Sequence, residues 1–121
     1  MSKDIINIKI PKKADYISLV RLTASSIASN LNLNIDEIDD IKVCIGEACN
    51  NVLSFSKKDE IIIIFEVDNE KFTIEVEDVL EDIPEGTDES HERELGLLII
   101  RTLMDTVEYY NNGIRMTKYI Q

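Results

Sequence analysis

Apolar residues recur along this chain with two periods. From Ile5 to Ile10, the side chains Ile6, Ile8 and Ile10 alternate with neighbours of the opposite face, the spacing of a strand, and Pro11 closes it. From about Ala14 to Leu31 the spacing turns helical, with Ile17, Val20, Leu22, Ala24, Ile27, Ala28 and Leu31 forming a broad apolar stripe. Asn32 to Asn34 reads as a turn. Asn34 with Glu37 three residues on has the form of a capping box, and it predicts a second helix running to about Leu53. Ile38, Ile41, Ile45, Ala48, Cys49 and Val52 line one side of that helix. Glu60 to Val67 and Lys71 to Glu77 read as two strands joined by Asp68-Asn69-Glu70. From Val79 to His91 the periodicity gives way to an acidic loop holding Pro84 and Gly86. A third helix is predicted over about Arg93 to Met104. The chain ends in a hairpin, Thr106 to Asn111 and Ile114 to Ile120, turned by Asn112-Gly113 in the type I′ manner.

The order is β-α-α-β-β-loop-α-β-β, with no internal repeat, linker or low-complexity tract. Hairpin-paired strands with helices gathered on one face make an α+β fold, a two-layer sandwich with a mostly antiparallel sheet. Ile62 and Ile64 fall on the strand face opposite Ile61, Ile63, Phe65 and Val67, so they mark either a subunit interface or plain strand propensity.

At 121 residues the chain is expected to be one domain, 1–121. No apolar run is long enough to cross a bilayer, and Met1-Ser2-Lys3-Asp4 lacks the regions of a signal peptide. A soluble, cytoplasmic protein without a membrane partner is the expectation. The net charge of -11 argues against direct nucleic-acid binding, which draws its affinity from Lys and Arg at phosphates. Much of the acid lies between Glu75 and Glu94, as a solvated loop or as a surface for a basic protein. Cys44 and Cys49 point in different directions on one helix, and with His91 as the single histidine no zinc constellation arises.

The chemistry is concentrated in Glu47-Ala48-Cys49-Asn50-Asn51. Glu47 and Asn51 are one helical turn apart and share a face away from the apolar stripe. A carboxylate beside an amide that can ligate a cation suits phosphate chemistry, although a solvated polar face has the same appearance.

Four segments carry a resemblance that spans nearly the whole chain. They are Arg21-Leu22-Thr23-Ala24, Ile45-Gly46-Glu47-Ala48-Cys49-Asn50-Asn51-Val52, the run from Leu95-Gly96-Leu97 to Leu103-Met104-Asp105, and Met116-Thr117-Lys118-Tyr119-Ile120. Together they resemble the bacterial anti-sigma factor serine kinases of the GHKL ATPase superfamily. The resemblance implies the Bergerat ATP-binding fold, ATP and Mg²⁺ as cofactors, and a homodimer. It also implies two protein partners, a sigma factor held inactive and an anti-anti-sigma factor phosphorylated on serine. Glu47 matches the general base and Asn51 the magnesium ligand. Asp78 matches the acceptor of the adenine amino group, Gly96 a phosphate-loop glycine near a helix start, and Thr117 a threonine close to the adenine. Partner binding is expected through the first helix and the loop region, with Arg21 a candidate contact.

The chain departs from the pattern where Leu80 and Glu94 stand in place of glycines, and the segment from Asp78 to Gly96 is short for an ATP lid. Glycine permits positive φ and close backbone approach, and Glu94 adds negative charge towards a polyphosphate. Two readings follow. One is a Mg-ATP-dependent serine kinase that also sequesters a sigma factor. The other is a non-catalytic anti-sigma binding module.

Overall fold

Every alternating run becomes a strand. In the computed structural model, which describes residues 2–110 and 112–121, the strands are β1 (Asp4–Pro11), β2 (Glu60–Val67), β3 (Lys71–Glu77), β4 (Thr106–Tyr110) and β5 (Gly113–Tyr119). They form one sheet in the order β1-β2-β3-β5-β4, with every neighbouring pair antiparallel. The β2–β3 turn is held by Asp68, whose Oδ1 accepts the N–H groups of Glu70 and Lys71. The Glu70 hydrogen bond and then that of Lys71 keep its carboxyl below the usual carboxylate range.

Three helices cover one face: α1 (Ile17–Ala28), α2 (Ile35–Phe55) and α3 (Ser90–Leu103). This is the expected two-layer α+β sandwich. Ile61, Ile63, Phe65, Phe72, Ile74, Val76, Ile114 and Met116 meet Val20, Ala24, Ile41, Ile45, Ala48, Val52 and Ile100 in one core, all of them with no exposed surface. Cys44 and Cys49 are buried and unbonded. Burial pushes both thiols up to about 12, with Asp40 adding to the effect at Cys44. At the far end, Lys118 is buried and donates from Nζ to the Leu103 carbonyl at 2.8 Å, capping the C-terminal turn of α3 from the sheet.

Several expectations shift. Ala14–Tyr16 is a 3₁₀ turn, so α1 proper begins at Ile17. Leu22 is 66% exposed and stands outside the core stripe. The third helix starts at Ser90 instead of Arg93, which moves His91 from the loop into the first turn. Gly113 pairs with Tyr110 and begins β5, so it lies in the strand and not in the turn expected at Asn112-Gly113. Asn111, expected to end the first strand of that hairpin, lies outside the described residues. Gly113 is needed on steric grounds: at φ +157 a Cβ there would run into Val76 O and come within 2.9 Å of Glu77 Cα.

Candidate functional site

The site is built on α2. Its start is fixed by the capping box: the Glu37 N–H donates to Asn34 Oδ1 at 2.8 Å, and the Asn34 N–H donates to Glu37 Oε1 at 3.0 Å. With its start and its core stripe both set, the rotation of α2 is determined, and so is where Glu47 points. α2 packs against α1 on one flank and α3 on the other. A glycine opens each flank. A Cβ on Gly46 would meet Arg21 Cζ of α1 at 2.9 Å, so the guanidinium lies across the helix there. A Cβ on Gly96 of α3 would meet Glu47 Oε1 at 2.5 Å, so the carboxylate occupies the space a side chain would take. Among the described residues no cation lies within ion-pair distance of Glu47.

One turn further along α2, Asn51 is 1% exposed and is gripped at both ends. Its Nδ2 donates to Leu80 O at 3.0 Å, and its Oδ1 accepts the Leu80 N–H at 2.9 Å. An amide oxygen has two lone pairs, so one remains for a further partner. Two residues before Leu80, Asp78 has φ +66, a left-handed conformation uncommon outside glycine. Its N–H donates to Asn112 O at 2.5 Å, and its carboxylate pairs with Lys58 at 3.0 Å. Asp78, Leu80 and Lys58 line a cavity of about 250 Å³ at the C-terminal end of α2.

Glu47, Asn51, Asp78 and Gly96 therefore gather around α2, α3 and the turn after β3. Gly96 joins them in a different way from that expected. With α3 starting at Ser90, it lies mid-helix, where its N–H falls within the helical ladder and is unavailable to a phosphate. Its contribution is room for Glu47. Thr117 is not with the others. It pairs with Thr73 and Thr106 in register, and the three line a cavity of about 740 Å³ on the sheet face away from the helices. On β5 it is the neighbours Met116 and Lys118 that face the helix side.

The loop from Val79 to Glu89 is anchored by Asn51 at one end. At the other, Ser90 Oγ donates to Pro84 O and contacts Thr87 Oγ1 at 2.7 Å. Two features escaped the sequence reading, the partner of Asp78 and the burial of Arg93, which the sequence left as either an offset to the Glu94 charge or a surface residue. The Lys58 partner of Asp78 is distant in sequence and carries no local signal. Arg93 is largely buried, and its Nε has no hydrogen-bond partner among the described residues. Its signal is a charged residue at an apolar position of the helical period.

An antiparallel sheet under three helices, with an unpaired carboxylate and an anchoring amide on the central helix, is a two-layer α+β sandwich of the kind the sequence motifs led us to expect. The histidine kinase-like ATPase domain matches residues 10–118, and the chain belongs to that family. Among individual relatives it is 33% identical over 136 residues to the serine-protein kinase RsbW of Bacillus cereus (strain Q1), covering 96% of this chain and 85% of that protein. The serine-protein kinases RsbW of Bacillus mycoides (strain KBAB4) and Bacillus thuringiensis (strain Al Hakam) match with the same identity and coverage. The chain thus falls among the serine-protein kinases its motifs resemble. The matched span of 136 residues exceeds the 121 of this chain, so these relatives carry at least fifteen residues within it that have no counterpart here.

Proposed function

We propose that this protein is a Mg-ATP-dependent protein-serine kinase that also holds a sigma factor inactive, its phosphoryl acceptor being an anti-anti-sigma protein. The observation that carries the reading is the unpaired Glu47 carboxylate against Gly96, a base kept clear of cations in a family of ATPases. A serine hydroxyl is a weak nucleophile until its proton is removed, and Glu47 is the group to take that proton. Bound ATP supplies the phosphoryl group. Asn51 Oδ1 keeps one lone pair for magnesium, a hard cation that retains several waters and needs few protein ligands. Asp78 offers a carboxylate to the adenine amino group beside the cavity that it lines. Gly96 serves this site by leaving room for Glu47, and Thr117 is left out of it.

Partner binding falls to the α1 surface. Arg21 makes no ion pair among the described residues, and Leu19 and Leu22 beside it are exposed. Among the described residues no helix is long and apolar enough to cross a membrane. The reading is of one domain, a cytoplasmic protein and a homodimer.

A specific observation favours the second reading, a binding module without catalysis: at least fifteen residues of the kinases have no counterpart here, and Leu80 stands in the turn after β3 while Glu94 lies within α3. Phosphoryl transfer to the anti-anti-sigma serine decides between the two. For the kinase, Glu47→Gln lowers the transfer rate by roughly a hundredfold or more while ATP and sigma-factor binding persist. Wild-type protein that transfers no phosphate leaves the binding module.

A further inference from the structure

Asp78 does not face the cavity at the end of α2 alone. Its Oδ1 stands 3.0 Å from Lys58 Nζ, and both residues line the same cavity of about 250 Å³. Phe55, Val79 and Leu80 add apolar lining to it. The two charged heads are held differently. The Asp78 carboxylate is only 20% exposed, on a backbone whose N–H donates to Asn112 O, and Asn51 clamps Leu80 two residues on. The Lys58 N–H donates to Ser56 Oγ at 3.1 Å, which fixes its backbone in the connection between α2 and β2, while its side chain is 64% exposed. An ion pair with so exposed a member contributes little to stability. What it does change is the chemistry that the cavity offers. A carboxylate only accepts hydrogen bonds and an ammonium only donates them, so the cavity presents an acceptor and a donor side by side.

We infer that Lys58 sets the base selectivity of the nucleotide site and admits 6-oxopurines, so that GTP and ITP bind as well as ATP. The inference rests on the nucleotide reading above, with Asp78 as the base acceptor, and it names the class of nucleotide which that site takes. Adenine carries an amino donor next to the acceptor N1. Guanine carries the acceptor O6 next to the donors N1–H and the 2-amino group. A carboxylate alone serves the donors of either base but leaves guanine O6 without a partner. An acceptor desolvated without its donor is costly enough to exclude the wrong base. Lys58 supplies that donor. With adenine the same ammonium serves N1, so the pair meets either base with one acceptor and one donor.

Mg-ATP, Mg-GTP and Mg-ITP share ribose and triphosphate, so the ratios of their affinities report the base alone. Calorimetry gives those ratios for wild type, Lys58→Met and Lys58→Arg. Each ratio is taken within one protein, so a change in the folded fraction cancels. In wild type GTP and ITP are expected to bind within about tenfold of ATP. In Lys58→Met the preference for ATP over both widens by about ten- to a hundredfold, the range for an oxo group left without its donor. Lys58→Arg keeps a donor and restores most of the wild-type ratio. ITP lacks the 2-amino group, so its following GTP through the series assigns the effect to O6. Three results overturn the inference. Wild type that binds ATP but prefers it to GTP and ITP by more than about a hundredfold removes the 6-oxopurines and leaves the nucleotide reading standing. The same ratios in wild type and Lys58→Met remove Lys58 from base selection. Wild type that binds none of the three removes the nucleotide reading and the inference together.

Discussion

Gly96 leaves the space that the Glu47 carboxylate occupies, and with Glu47 proposed as the base this sets stability against activity at a single residue. Alanine at 96 suits a helix interior better than glycine by about 1 kcal/mol. Its Cβ would stand 2.5 Å from Glu47 Oε1, the mobile end of a side chain, so the carboxylate swings aside and the fold is spared. Gly96→Ala is therefore expected to keep or raise thermal stability while phosphoryl transfer falls at least tenfold, because displacing a base by about 1 Å costs up to a hundredfold. Melting curves and transfer rates on the same preparation check both signs. The buried thiols give a second residue-scale expectation. Below pH 9 both folded and unfolded chains keep Cys44 and Cys49 protonated. Above it the unfolded chain ionises first, because burial holds the folded thiols at about 12. The unfolded state then binds fewer protons, so stability falls as pH rises from about 9 towards 12. Cys44→Ala/Cys49→Ala is expected to flatten that part of a denaturation series.

At the scale of elements, the capping box governs α2 and, through it, the direction of Glu47. Asn34→Ala removes the acceptor for the Glu37 N–H and should lower stability by about 1 kcal/mol, measured by urea denaturation with an unchanged m-value. What the sequence made legible follows the same physics. The β2–β3 hairpin and the cap were readable because period two and an Asn-x-x-Glu signal are local. Glu47 and Asn51 were readable as a pair because one helical turn sets their face. The start of α3 was not, since Ser90 to Glu92 extend the helix without adding to its apolar period. Reading the helix late also misplaced Gly96 near its start. The side taken by Thr117 was hidden because β5 buries residues on both faces, Met116 and Lys118 on one and Thr117 on the other. Asp78 and Lys58 meet across twenty residues, beyond the reach of any local pattern.

At the scale of the whole molecule, the two faces of the sheet differ in character. The helices close one. The other carries Ile62 and Ile64 on β2, partly exposed, with Ile5 on the edge strand β1, diagonal to Ile64, 56% exposed. Exposed isoleucines on a sheet face that no helix covers favour association with a second copy. Sedimentation at micromolar concentration is expected to report a dimer, and Ile62→Glu/Ile64→Glu to report a monomer that still folds. A monomeric wild type would count against this use of the face.

The Asn51 carboxamide imitates a peptide group. By bonding the N–H and the C=O of one residue, it acts as a surrogate rung that seals the chain just after β3 without a neighbouring strand. The end of the sheet is thus independent of the length of whatever follows. Between that rung and the Ser90 staple, residues can be shed or gained for little more than loop-closure entropy, which changes by about 0.6 kcal/mol for each doubling of length. A fold sealed in this way can outlive its lid. Shortening the segment alters what the protein does with a bound ligand long before it alters whether the protein folds.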